Sequence, residues 1–211
     1  MEGFLSNKPS AKAPALNQAE IPPDELVVGP DRSLVDRKFG LSTILPIGWK
    51  IASALRIGEG GNVIRLSSNG DKNSVIIMGY YRTTPWIEGP VDFGPGAHVF
   101  GPKKPAPGDV DAWLRGTAER LEHWAQELKD YKRDPAGPVS RVVGGCKALT
   151  WTSTYSRKEE KWVEFAVQVY SENAHGHITL RTPEANIAST RRAFENIVES
   201  FQLPKSVSDQ R

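Results

Sequence analysis

The sequence predicts an α+β domain: an antiparallel β-sheet flanked by helices, an α/β/α sandwich. Three observations predict it. Between Leu149 and Thr182 one segment, Leu149 to Tyr155, is rich in β-branched and aromatic residues, and two more, Trp162 to Tyr170 and His177 to Thr182, alternate with period two, the mark of half-buried strands. From Pro183 the period changes, and Ile187, Phe194, Ile197, Val198 and Phe201 fall on one helical face. Upstream, a stretch from Asp109 to Arg133 repeats apolar residues at three-and-four spacing.

Taken in order, residues 1–38 contain five prolines and few large apolar groups. They read as a flexible N-terminal arm that cannot bury enough surface to offset its ordering entropy. Ile21, Leu26, Val27 and Val28 are its candidate anchors on a partner. A single domain is expected over 39–204, with a tail at 205–211. Phe39, Leu41, Thr43 and Leu45 alternate with Gly40, Ser42 and Ile44, and Pro46-Ile47-Gly48 is a turn. Trp49, Ile51, Ser53, Leu55 and Ile57 share the face of a second strand. Gly58-Glu59-Gly60-Gly61-Asn62 then connects a hairpin. That glycine run lacks the Gly-Lys-Ser/Thr ending and the following helix that a phosphate loop requires. Val63 to Ser68 is the next strand. Val75 to Tyr81 is nearly all apolar, as in a central strand covered on both faces.

Residues 82–108 are too long for an ordinary connection, and long irregular loops inside a domain are usually functional or disordered. This one holds Trp86, Phe93 and Phe100, with His98 between them and Lys103 and Lys104 as a basic rim. The pattern suits a binding lip with aromatic anchors. Asp109 to Arg133 follows as a helix, capped by Asp109 and rich in cations at its end. At about 1.5 Å per residue it would run roughly 37 Å, enough to cross a sheet. Pro138 to Val143 is a short strand leading through Gly144-Gly145 into Leu149. Thr182, Pro183 and Glu184 read as the N-cap, first position and early acid of the last helix.

Composition narrows function by exclusion. The 211 residues carry a net charge of +2, too small to imply nucleic acid. No run approaches the ~20 apolar residues of a membrane span. Met1-Glu2-Gly3-Phe4 lacks the basic and apolar regions of a signal peptide. A soluble chain is expected, either cytoplasmic or exported to the periplasm with its signal absent from this sequence. One cysteine, Cys146, excludes an internal disulfide and a Cys-based metal cluster. His175-Gly176-His177 places two imidazoles on one side of a strand, but zinc wants three or four ligands. Glu159 and Glu160 sit among Arg157, Lys158 and Lys161, as at a solvated hairpin tip. No serine has a Gly-x-Ser-x-Gly context. No catalytic residue, cofactor or metal site is assigned.

The order of elements, with Leu45-Pro46-Ile47-Gly48-Trp49 at the start and Ser200-Phe201-Gln202-Leu203-Pro204 at the end, resembles the PsbP and Mog1-like domains. These occur in photosystem II extrinsic proteins, a yeast Ran-binding protein and many bacterial proteins. The resemblance covers about Phe39 to Pro204. It implies a sheet with helices on both faces, and binding or assembly roles without a shared catalytic constellation. The expected function is a non-catalytic accessory or assembly protein. It would hold a protein partner through the 82–108 loop (Trp86, Phe93, His98, Phe100, Lys103, Lys104) and the N-terminal arm. A second reading is a small-ligand or metal-binding protein using that loop with His98, His175 and His177. A third is a hydrolase using Cys146 or a serine, which requires an exposed, electropositive thiol near a histidine.

Overall fold

A computed structural model describes residues 18–57, 60–82, 90–92, 98–100, 128–171 and 174–204. Among these the architecture is mostly β. The strands are β1 (Gln18–Glu20), β2 (Leu26–Val28), β3 (Ser33–Asp36), β4 (Ser42–Ile44), β5 (Trp49–Ile57), β6 (Gly61–Ser68) and β7 (Val75–Arg82). They continue with β8 (Pro90–Asp92), β9 (His98–Phe100), β10 (Lys132–Arg133), β11 (Val139–Val143), β12 (Cys146–Arg157), β13 (Glu160–Tyr170) and β14 (Ala174–Pro183). A 3₁₀ turn at Glu184–Asn186 leads into α1 (Ile187–Ser200), the one α-helix among the described residues.

The main sheet has nine strands, all paired antiparallel, in the order β1-β5-β6-β7-β14-β13-β12; β10 and β11 both lie along the outer side of β12. The apolar stretch Val75–Tyr81 is central, as its composition implies. The long strands β12, β13 and β14 form a meander. Its first turn, Lys158-Glu159, holds both residues at positive φ (50° and 66°), the geometry of the tightest two-residue hairpins.

The α/β/α sandwich is not what the chain forms. The dominant element is the large antiparallel sheet, and the described residues supply a single helix rather than helices on both faces. The expected helix at 109–133 falls mostly outside the described residues. Its last residues are not helical: 128–130 form a turn, and Lys132 and Arg133 pair with Thr154 and Ser153. Helical spacing of apolar residues does not secure those positions against a neighbouring strand that offers backbone hydrogen bonds.

One sheet face packs on α1 and on the three-stranded sheet β2-β3-β4. Ile64, Leu66, Ile76, Met78, Val167, Ile178 and Leu180 meet Leu34, Leu41, Phe194, Ile197, Val198 and Phe201 there, all buried. Each fully buried aliphatic side chain contributes about 1.5–3 kcal/mol to folding. Helix and small sheet are tied together: the Thr43 hydroxyl donates to the Ile197 carbonyl (3.2 Å), and Ser42 and Gln202 exchange backbone hydrogen bonds. The helix enters without a side-chain cap, so Thr182 does not serve as its N-cap.

Residues from Gln18 onwards, expected as part of a flexible arm, are built into this unit. β1 pairs with β5, Ile21 lies in the core, and Leu34 is 1% exposed. Asp36 is fully buried. It accepts hydrogen bonds from the Lys38 and Phe39 amides, from both ends of the Arg56 guanidinium and from the Asn62 amide. Glu25 takes the other side of Arg56, whose guanidinium lies 4.6 Å from the Phe39 ring centre. A few well-placed apolar residues and one shared ion cluster order a segment whose average composition predicts disorder.

Candidate functional site

The second sheet face carries the chemistry. Alternation sends Ile178 and Leu180 into the core, so their neighbours His175, His177, Thr179 and Arg181 face the opposite way. Register brings partners from both sides. His175 stands opposite Tyr81 and Tyr170, His177 opposite Gly79 and Gln168, and Arg181 opposite Val75 and Glu164. The Tyr81 ring stacks on His175 at 5.0 Å and on His177 at 6.0 Å between centroids. The Tyr170 hydroxyl donates to the Gln168 side-chain carbonyl.

Gly79 makes room for His177. A Cβ at that position would come within 2.3 Å of the imidazole Cε1 and 2.9 Å of the Asn62 carbonyl. The imidazole therefore lies flat against the backbone of β7. Burial, reinforced by the Arg181 charge, pushes its pKa down to about 4. At neutral pH His177 is an uncharged packing group. Burial likewise holds the Tyr81 hydroxyl well above the usual tyrosine range. Neither group is poised for proton transfer near pH 7.

His175 and His177 are two imidazoles on one face, as expected. Among the described residues no three His, Cys, Asp or Glu side chains come together as a metal site. In backbone register His98 begins β9, opposite Asp92, and Phe100 ends it, opposite Pro90. Trp86, Phe93, Lys103 and Lys104 lie outside the described residues. Cys146 opens β12 and is half-buried, and burial raises its thiol pKa, opposite to the shift an activated nucleophile needs.

Two features of this site escape the sequence reading. The Arg181 guanidinium donates to the Glu164 carboxylate at 2.7 Å, largely shielded from solvent. Both residues sit on the non-core parity of adjacent strands, so the alternation that marks the strands could have paired them. The second is a set of buried polar atoms on β12 and β13: the Trp151 and Trp162 indole nitrogens and the Ser153 hydroxyl. Strand parity places them on the face opposite the α1 core, but no sequence signal marks them as buried.

With this geometry in hand, the coordinates align with cyanobacterial PsbP (CyanoP) from Synechocystis over 83% of this chain and 95% of that one, with a TM-score of 0.53 and 13% identity. The chain has a PsbP-like fold. At that identity the likeness concerns the fold alone. Two further structures align with lower scores. One is a protein of unknown function from Pseudomonas aeruginosa, described as a putative regulator (TM-score 0.45, 14% identity, 79% of this chain, 92% of that one). The other is LpqN, involved in cell envelope biogenesis of Mycobacterium tuberculosis (TM-score 0.44, 8% identity, 90% and 92%). No family model and no curated protein sequence matches. Within the PsbP-like fold the His175–Tyr81 row lies at the end of β7 from which the 82–108 segment departs. No described helix is long and apolar enough to cross a membrane.

Proposed function

We propose that this chain is a non-catalytic accessory protein that holds a protein partner through its 82–108 segment. One observation carries the reading: the ionisable side chains buried in the described domain are committed to structure. Asp36 and Arg56 fasten the N-terminal strands, Arg181 and Glu164 pair with each other, and His177 is neutral and packed on Gly79. A domain that spends its buried charges this way acts as a scaffold. The central strands β7 and β14 deliver Arg82 and Ala174 to one end of the sheet. The 82–108 segment follows β7 in sequence, and its aromatic and basic composition suits a partner contact. The PsbP-like fold is in keeping with a binding role.

The test is co-purification from the source organism in low salt and mild detergent, comparing the full chain with a variant lacking residues 84–104. The expected result is a stoichiometric protein partner that is lost with the deletion and rebinds the purified full chain. The variant must also keep the parent melting temperature. A partner retained equally by both proteins, or none in either, refutes the assignment.

A further inference from the structure

We propose that β11 is a docking edge that takes an extended segment of a partner protein as a further antiparallel strand. β11 (Val139–Val143) is the outermost strand beside β12, and its inner side is paired in register from Val139 opposite Thr150 to Val143 opposite Cys146. Among the described residues no strand, turn or loop bonds to the backbone on its outer side. In an antiparallel pair alternate residues direct their N–H and C=O groups away from the neighbour. An outer strand therefore presents a row of unpaired donors and acceptors, a template for another chain.

Protein sheets normally blunt such edges with charge, proline, bulges or short length, and the other edge strands of this sheet are blunted. β1 has three residues, Gln18, Ala19 and Glu20. β10 has two, Lys132 and Arg133, both cationic, and the Asp134–Gly137 turn interrupts the edge after them. β11 is different. Val139 is 51% exposed and Val142 is 69% exposed, and the two point to opposite faces of the strand. The one charged residue of β11, Arg141, lies 3.6 Å from Glu195 of α1, so its charge is drawn to the helix side.

The edge is also bounded, and its size selects the occupant. Pro138, which has no N–H, precedes it, and Gly144 and Gly145, both at positive φ (57° and 78°), turn the chain back after it. Five residues span about 17 Å. A stable dimer buries about 1,000 Å² or more, beyond what one such edge offers. Pairing two copies about the strand centre would also set Arg141 against Arg141, and like charges directly opposite are destabilising. An extended peptide segment needs only this row: main-chain hydrogen bonds supply affinity and alternate side chains supply selectivity. Val139 and Val142 favour β-branched or aromatic residues opposite them. The contact is separate from the one proposed for the 82–108 segment.

The probe is a blocked peptide of alternating threonine and valine, with a lysine at each end for solubility, titrated into the ¹⁵N-labelled full chain. The control is the same peptide N-methylated at its two central residues, whose amides point to opposite edges, so that neither edge can pair. The expected result is a saturable shift of the Val139–Val143 amides with the probe and none with the control. Alternate amides of β11 that exchange fast in the free chain should become protected. Val142→Lys should weaken binding about tenfold, while Ile47→Lys, at another exposed apolar position (88%), should leave it unchanged. Sedimentation without peptide should show no dimer that depends on Val142. No saturable shift, an equal response to both peptides, binding untouched by Val142→Lys, or a peptide-free dimer that Val142→Lys dissociates overturns the proposal. So does slow exchange of all five β11 amides in the free chain, because the edge would already be occupied. The N-methylated control decides the matter if Val142→Lys does not fold.

Discussion

His177 makes acid stability a quantitative test of the second face. Its imidazole is buried and its pKa is lowered to about 4, from 6.5 when exposed. In the unfolded chain it binds a proton as pH falls through 6.5; in the folded chain it stays neutral until about 4. The unfolded state therefore holds more protons across this window, and stability falls as pH falls through it. The loss between pH 7.5 and 5.5 should be about 1.3 kcal/mol, rising to about 3 kcal/mol once pH reaches 4. Most of this window lies above the range in which carboxylates titrate, so the two processes separate. The assay is urea denaturation from pH 7.5 to 5.5, comparing the parent with His177→Gln. Glutamine cannot titrate, and the remaining histidines are common to both proteins, so the difference in slope belongs to His177. The substitution shifts the level of stability as well, but only the slope is read. Equal slopes in the two proteins would refute the claim that this imidazole is buried and neutral.

Four further outcomes follow from particular contacts. Deleting residues 1–38 should remove roughly 6 kcal/mol or more, through the lost burial of Ile21 and Leu34 and the stranding of Arg56, and should abolish a cooperative melt; a melting temperature within about 2 °C of the parent would contradict this. Asp36→Ala should cost about 3–5 kcal/mol by leaving the Arg56 guanidinium buried without its main partner, and adding Arg56→Met should recover much of it, as urea midpoints would show. Gly79→Ala should destabilise by about 1–3 kcal/mol, because the new methyl meets His177 and the Asn62 carbonyl, and tyrosine fluorescence should report displaced packing around Tyr81. Replacing Lys158-Glu159 by Asn-Gly should raise stability by about 1 kcal/mol, since both positions hold positive φ; an unchanged or lower midpoint would refute that gain.

The strands were legible where one face is buried and the other is not. Val163, Phe165, Val167 and Val169 alternate with Glu164, Ala166 and Gln168, and that parity alone assigns them to the core that α1 covers. The central place of β7 was legible for the complementary reason: both of its faces are buried, so alternation disappears. The N-terminal strands were not legible, because what orders them is specific and non-local. Leu34 and Asp36 are unremarkable in sequence, and the Asp36–Arg56 contact spans 20 residues. The layer arrangement is not legible, because helical periodicity in one stretch does not define a whole layer. At Lys132–Arg133 the chain instead supplies an edge strand to β12. Of the candidate site, the two histidines on one face were readable from Gly176 between them. The neutrality of His177 is not, since its burial depends on Gly79 and Tyr81 from another strand.

Strand parity also separates what can be altered without disturbing the core from what cannot. In β14 the residues Ile178 and Leu180 are sealed under α1, while His177, Thr179 and Arg181 face away. In β13 and β12 the same division puts Phe165 and Ala148 on one side, and Glu164, Trp151 and Ser153 on the other. The core side is held by apolar contacts that a single polar substitution would break. The other side combines small apolar clusters with the Arg181–Glu164 ion pair and the rings stacked at Tyr81. Conservative changes there, such as Ser153→Ala or His177→Gln, remove hydrogen-bonding or titrating capacity without opening the α1 core. A binding defect in such a variant, with the core intact, would be evidence about the second face itself and not about folding.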